Sequence, residues 1–105
     1  MARCCVVFVT ASSRKEGEKI AHAVVKENLA ACVNVVSPVT SIFNWQGKLC
    51  REREVLLIMK TRRALFSRLA SHVKSLHSYQ VPEIIALPIE AGWPDYLDWV
   101  AQETR

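Results

Sequence analysis

The stretch that decides the fold is residues 32–61, CVNVVSPVTSIFNWQGKLCREREVLLIMKT. Its β-branched and aromatic residues, on either side of a Gln46-Gly47 turn signal, predict two long strands from Cys32 to Trp45 and from Cys50 to Thr61. Fourteen extended residues reach about 46 Å, whereas a compact domain of 105 residues is about 33 Å across. The hairpin is therefore predicted to project beyond the domain that carries it.

A proline interrupts the first of these strands. Because proline cannot donate a hydrogen bond to a strand ladder, Ser37-Pro38 predicts a bend or a bulge. The part beyond it, Thr40 to Arg53, would then have unpaired edges, and a neighbouring subunit can cover such edges by strand addition. The apolar residues near the tip are predicted to be the anchors of that subunit contact: Ile42, Phe43 and Trp45.

The segments before the hairpin predict a strand and a helix. Arg3 to Thr10 is a continuous run rich in β-branched residues, which is typical of a strand buried on both faces. Ser13 and Glu16 then have the spacing of a capping box at the start of an amphipathic helix. Gly17 costs about 1 kcal/mol in that helix relative to alanine, so close backbone packing is the expected reason for it.

The segments after the hairpin predict a helix, a short strand and a final helix. The second helix has an apolar stripe of leucines and Val73, the strand runs from Glu83 to Leu87, and Pro94 suits the first position of the last helix. The order βαββαβ with a terminal helix predicts an α+β, ferredoxin-like sandwich. We expect one domain over residues 1–105, without linker or repeat.

Composition narrows the class of protein. Half of the residues are apolar, and no apolar run approaches the roughly 20 residues of a membrane span. The first residues lack the pattern of a signal peptide, so we expect a cytoplasmic protein with no membrane partner. Residues 1–82 hold thirteen Lys or Arg against five Asp or Glu, and residues 83–105 hold one against five. This asymmetry favours either head-to-tail docking of copies or two solvated faces.

The four cysteines predict no metal knuckle and no redox pair. They lack C-x-x-C spacing. Cys4 and Cys5 are adjacent, but neighbouring side chains in a strand point to opposite faces. We therefore expect reduced thiols with a structural role.

Several functions lack their motifs. No central strand has the aromatic pattern of an RNA-recognition motif, and the three glycines are too far apart for a phosphate loop. We expect no nucleic-acid partner. His22 and His72 have no evident partners for nucleophilic catalysis, so the chain is predicted not to be an enzyme.

Two clusters of polar residues are candidate binding sites. In His77-Ser78-Tyr79-Gln80-Val81-Pro82-Glu83, His77 and Glu83 flank a turn and belong to the ligand types of divalent metals. The alternative is that His77 and Tyr79 simply make the hydrogen bonds of the turn. The second cluster surrounds the predicted start of the second helix and suits either an anion or solvent: Lys60, Arg62 and Arg63.

Five ordered blocks carry a family resemblance. They are Leu29–Asn34, Thr40–Gly47, Glu54–Thr61, His77–Pro88 and Tyr96–Trp99. Together they resemble the CutA-type divalent-cation tolerance proteins over nearly the whole chain. The resemblance implies a ferredoxin-like protomer in a tight homotrimer, with the long hairpins bridging neighbouring sheets. It also implies a role in copper and divalent-metal tolerance.

The resemblance further implies ligands. It places metal near the loop before the last strand, with no tightly bound cofactor but with Cu(II) or Zn(II) as the expected ions at His77 and Glu83. Val9 and Leu76 stand where metal-binding members have a Cys and a further His. The trimer is also similar to PII signalling proteins, which bind small ligands between subunits. A pocket for an anionic small molecule would here use three residues: Lys60, Tyr79 and Trp45.

Three hypotheses follow. The first is a metal-responsive trimer, the second a PII-like module for an anionic small molecule, and the third a purely structural or anchoring trimer.

Overall fold

A computed structural model describes residues 3–105. Its elements are β1 (Cys4–Ala11), α1 (Arg14–Lys26), β2 (Cys32–Trp45), β3 (Lys48–Arg62), α2 (Phe66–Leu76), β4 (Ile84–Pro88) and α3 (Pro94–Gln102). The four strands form one sheet in the order β2-β3-β1-β4, and all neighbours are antiparallel. The ferredoxin-like α+β prediction is confirmed. The first two residues of the domain predicted over 1–105 lie outside the described part.

The core lies between the sheet and helices α1 and α2. Alternate residues of β1 and β3, among them Val7 and Leu57, are fully buried against Ile20 and Leu69 of these helices. The residues of β1 on the other face, such as Phe8, remain partly exposed. The prediction of a strand buried on both faces is therefore wrong for the chain alone, because α1 and α2 cover only one face of the sheet.

Helix α3 covers one end of the open face. Val100 is fully buried there and packs with Cys4 and Ala31. Cys5, by contrast, belongs to the main core on the other side of the sheet. The two adjacent thiols thus face opposite sides, and burial raises the pKa of both. This placement agrees with the structural role expected of them.

The start of α1 departs from the predicted capping box in one detail. Ser13 Oγ accepts a hydrogen bond from Glu16 N at 3.1 Å, as predicted. The carboxylate of Glu16, however, accepts from Ser12 N at 3.1 Å rather than from Ser13. A Cβ on Gly17 would lie 3.2 Å from Val55 Cγ1, so the close packing expected at this glycine is also present.

The hairpin projects as predicted. Its register shifts between Val36 and Val39, around Pro38, and its turn places Gln46 and Gly47 at positive φ, as a two-residue hairpin loop requires. β1 pairs with residues 55–62 of β3, so residues 48–54 pair with β2 alone. No residue between 40 and 53 is buried, and the molecule measures 45 × 25 × 22 Å.

The start of the second helix lies later than predicted. β3 continues to Arg62, and a single 3₁₀ turn at Arg63–Leu65 leads to the helix at Phe66. The predicted short strand also begins one residue later, at Ile84. Within residues 3–105, none of the helices has the length and apolar content needed to cross a membrane.

Candidate functional site

The loop of residues 77–83, between α2 and β4, is hydrogen-bonded to several other elements through its first three residues. His77 is the C-cap of α2, and its backbone is already extended. The short loop must therefore leave the helix and reach the edge of the sheet within a few residues. This places His77 beside the end of β1 and Tyr79 beside β3.

Both ring nitrogens of His77 have partners. Nδ1 accepts a hydrogen bond from Tyr79 N at 3.0 Å, and Nε2 lies 2.7 Å from the carbonyl oxygen of Thr10. Because Nδ1 faces an N–H donor it carries no proton, so Nε2 carries it and donates to Thr10. With these partners the imidazole is neutral, and its one ring lone pair, on Nδ1, already accepts the hydrogen bond from Tyr79 N.

Tyr79 ties the loop to the base of the hairpin. Its hydroxyl donates to Glu54 Oε2 at 2.7 Å, and its ring lies 4.8 Å from that of His77. Burial first, and then the hydrogen bond to Glu54, raises the pKa of the Tyr79 phenol. Glu54 itself is only 7% exposed, so this phenol supplies a partner that the buried carboxylate needs.

Glu16 ties the loop to the start of α1. Its Oε2 accepts a hydrogen bond from Ser78 N at 2.9 Å. Partial burial acts to raise the pKa of Glu16, but the hydrogen bonds from Ser78 and Ser12 outweigh it and lower that pKa overall. One carboxylate thus holds both the N-terminus of a helix and the loop.

The predicted metal ligands differ in their surroundings. Glu83 is exposed and, within residues 3–105, has no hydrogen bond or ion pair. The described residues contain no group of three His, Cys, Asp or Glu side chains able to hold a metal ion. An imidazole and a carboxylate suit Cu(II) or Zn(II) by type, but in this fold the lone pair of His77 is engaged. His77 and Tyr79 do make hydrogen bonds within and around the turn, as the alternative expected, and the metal ligands stay a prediction.

The predicted pocket residues do not converge within one copy. Trp45 pairs with Lys48 at the hairpin tip, twelve residues along β3 from Lys60 and thus about 40 Å away. Lys60 Nζ contacts Asn34 Oδ1 and lies 3.8 Å from Cys32 Sγ. Within one copy, this lysine and Trp45 therefore do not share a pocket.

The predicted basic cluster is divided by the fold. Arg62 Nε donates to Thr104 Oγ1 at 3.1 Å, and one of its terminal nitrogens donates to the carbonyl of Thr104 at 2.9 Å. Arg63 lies over the ring of Phe66, at 5.9 Å from its centroid. Arg62 therefore holds the C-terminus in place, and it does not surround a helix start together with Lys60.

Sequence reasoning missed the two carboxylates that bind this loop, Glu54 and Glu16. Glu54 follows Arg51, Glu52 and Arg53, a charged series that looks like a solvated strand edge. Glu16 was assigned only to helix capping, although its second oxygen binds the loop. For Glu16 the capping-box spacing was a usable signal, whereas nothing in the sequence separates Glu54 from the exposed charges before it.

The tip of the hairpin carries exposed apolar side chains. The three predicted anchors are 67%, 38% and 48% exposed (Ile42, Phe43 and Trp45), and Leu49, which was not predicted, is 78% exposed. Further exposed apolar residues lie on β4 and α3 and just before α3: Ile85, Leu87, Trp93 and Trp99. In one copy, the described chain supplies no strand that pairs with either outer edge of this part of the hairpin.

The architecture defines a class: small ferredoxin-like proteins with an over-long hairpin and a terminal helix. The chain belongs to the CutA1 divalent ion tolerance protein family, whose model matches residues 5–103. A divalent-cation tolerance protein CutA from Thermus thermophilus is 48% identical over 99 residues, which cover 94% of this chain and 96% of that relative. The family predicted from the five sequence blocks is thus confirmed.

Other relatives extend beyond this chain. The chloroplastic protein CutA of Arabidopsis thaliana is 48% identical over 95% of this chain, and the chain spans 55% of its length. Among solved structures, a divalent cation tolerance protein from Thermus thermophilus has a TM-score of 0.95 at 47% identity, covering 97% of this chain and 99% of that one. CutA1 from Oryza sativa has a TM-score of 0.97 at 44% identity, covering 99% and 95%.

Proposed function

We propose that this chain acts in divalent-cation tolerance as a non-enzymatic homotrimer that binds metal with modest affinity. The observation that carries the proposal is the distal hairpin, residues 40–53, in which no described residue is buried and neither outer edge has a strand partner. An isolated two-stranded hairpin is marginal in water. A neighbouring copy that pairs with its edges and covers its apolar side chains supplies the missing stabilisation.

The shape of the chain favours a closed ring of copies. The projecting hairpin belongs to a molecule 45 Å long, and we propose that it docks on a different surface of the neighbouring copy. Such a contact joins two different surfaces, and contacts of this kind form rings when the rotation closes. A ring of three is the smallest in which each copy gives its hairpin to one neighbour and receives a hairpin from the other.

Metal binding is proposed at His77 and Glu83, with Cu(II) or Zn(II) as the ion. Modest affinity is expected for two reasons. Two protein ligands make a weak site, and the imidazole of His77 must give up a hydrogen bond to coordinate a metal. No tightly bound cofactor is proposed.

The absence of catalysis is proposed from the arrangement of the candidate residues. His22 is exposed on α1, and within residues 3–105 no serine hydroxyl is hydrogen-bonded to a histidine ring. Ser75 Oγ bonds the backbone carbonyl of His72 instead, at 2.6 Å. A nucleophile with its base is thus not assembled in the described chain.

A second candidate is a PII-like module that binds an anionic small molecule between copies. It is favoured by Lys60, whose amine lies on the sheet face that α1 and α2 leave open. A thermal-shift screen tests it, because a ligand of the native state raises the apparent stability. An anion that stabilises the wild type but not Lys60→Met supports this module, and a screen without such an anion counts against it.

Native mass spectrometry during a Cu(II) and Zn(II) titration tests the main proposal. The wild type is expected to be a trimer that takes up metal. His77→Ala and Glu83→Ala are expected to remain trimers but to take up less metal, and Ile42→Asp is expected to be a monomer. Because Glu83 is exposed and makes no bond within the described chain, its variant should fold normally. A monomeric wild type contradicts the proposed trimer. Metal uptake by both alanine variants equal to that of the wild type contradicts His77 and Glu83 as ligands.

A further inference from the structure

The loop of residues 77–83 is bonded to four elements around it. His77 donates to Thr10 on β1, Ser78 N donates to Glu16 on α1, and Tyr79 donates to Glu54 on β3. Lys74 Nζ of α2 lies 3.4 Å from the carbonyl of Tyr79. We propose that this loop is a strap whose closed form withholds His77 from metal, and that the Tyr79–Glu54 hydrogen bond determines how readily the strap opens. The inference rests on the metal binding proposed above.

The withholding follows from the lone pairs of one imidazole. In the closed strap, Nδ1 uses its lone pair to accept from Tyr79 N, and Nε2 uses its proton to donate to Thr10 O. A metal at Nδ1 removes the acceptor of Tyr79 N directly. A metal at Nε2 moves the proton to Nδ1, where it meets the N–H of Tyr79. In both cases the backbone of Tyr79 must leave His77.

The side chain of Tyr79 resists that movement. Its hydroxyl is held at 2.7 Å by a carboxylate that is itself buried, and its ring rests against that of His77. Opening the strap either breaks this bond, which leaves Glu54 without its donor, or strains it. Metal binding at His77 therefore weakens the Tyr79–Glu54 hydrogen bond. By thermodynamic linkage, the same hydrogen bond lowers the metal affinity of His77 to the same extent.

The strap also connects His77 to the base of the projecting hairpin. Glu54 pairs with Val39, the first residue of β2 after the register shift at Pro38. Beyond this pair the hairpin has no strand partner in the rest of the described chain. A metal that loosens Tyr79 thus releases a contact at the point where the hairpin leaves the domain.

Isothermal titration with Zn(II) tests the strap in the intact protein. Tyr79→Phe keeps the ring and the backbone N–H but removes the donation to Glu54, so it is expected to bind Zn(II) at least about fivefold more tightly than the wild type. Glu54→Gln weakens the same bond and should shift the affinity in the same direction, which keeps the test available if one variant folds poorly. Tyr96→Phe, on α3, is the matched control and should match the wild type.

Hydrogen exchange at the amide of Tyr79 is the second measurement. In the wild type this amide should exchange slowly without metal and faster once Zn(II) is bound. Equal Zn(II) affinity in the wild type, Tyr79→Phe and Glu54→Gln, with unchanged exchange, overturns the strap and leaves the proposed metal function intact. Failure of the wild type, Tyr79→Phe and Glu54→Gln alike to bind Zn(II) overturns both, because no metal is then bound at His77 in any state of the strap.

Discussion

The two halves of one hairpin have opposite surroundings. Near the sheet, Leu57 of β3 is fully buried between β1 and β2 and under the helices, whereas Leu49 of the same strand is 78% exposed. Both halves have strand-forming sequences and both are paired, so pairing alone does not create a core. Burial depends on the elements that cover the strands, and a single copy covers only the half near the sheet.

The comparison predicts that the distal half of the hairpin, residues 40–53, serves assembly and not folding. Replacing residues 40–53 with Asn-Gly joins the paired residues Val39 and Glu54 through a two-residue turn. This variant should unfold cooperatively yet be a monomer, the largest change among these predictions. Light scattering and thermal denaturation measure both properties. If the shortened chain does not fold, the distal half contributes to the fold itself, and the assignment of the two halves to folding and to assembly is wrong.

Matched truncations in the two halves should differ strongly in stability. Leu57→Ala removes a fully buried side chain and should cost about 2–5 kcal/mol, whereas Leu49→Ala should cost less than about 0.5 kcal/mol. Urea denaturation in an Ile42→Asp background measures the two without a contribution from assembly. Similar costs would show that the tip is covered within one copy.

Matched threonine substitutions test the same contrast for a hydrogen bond. Thr61 is fully buried, and its hydroxyl donates to the carbonyl of Leu29 at 2.6 Å. Thr61→Val leaves that carbonyl without its donor and should cost about 1–3 kcal/mol. Thr40→Val, at an exposed position of the distal half, is the control and should change the free energy of unfolding by less than about 0.5 kcal/mol.

The smallest expected effect is a pH dependence at the loop. The pKa of Glu16 is lowered in the folded chain, so its stabilisation is complete above the ordinary carboxyl pKa of about 4.3 and is lost as the pH falls through the lower folded value. Glu16→Gln should therefore be about 1 kcal/mol less stable near neutral pH, with the difference shrinking in acid. Urea denaturation from about pH 6 to pH 3 measures this, and parallel curves for the two proteins would contradict it.

Local signals predicted the elements well because each acts over a few residues. Ser13 caps α1 through its own hydroxyl, and Pro38 disrupts the ladder because it has no N–H. The start of α2 was misplaced because Arg62 extends β3, where Thr104 binds its guanidinium. That contact joins residues 42 positions apart, and a local pattern contains no trace of it.

The same distinction holds for the candidate site. The composition of the 77–83 loop was enough to single out His77 and Tyr79, because polar and aromatic residues are concentrated there. Tyr79 and its neighbour Ser78 bind Glu54 and Glu16, which lie 25 and 62 residues away along the chain. The partner of His77 Nε2, the carbonyl of Thr10, is 67 residues away. A local pattern contains no sign of such contacts, and so the sequence left both interpretations of the loop open.

The sequence by itself determined the order of elements, the length of the hairpin, the bulge at Pro38 and the family. These features follow from periodicity, turn chemistry and motif order, which are written along the chain. Only the tertiary structure decided which face of β1 is buried, which carboxylates hold the loop and which strand the Nε2 atom of His77 contacts. These depend on contacts between segments far apart in sequence, whose free energy exists only once the sheet and helices have come together.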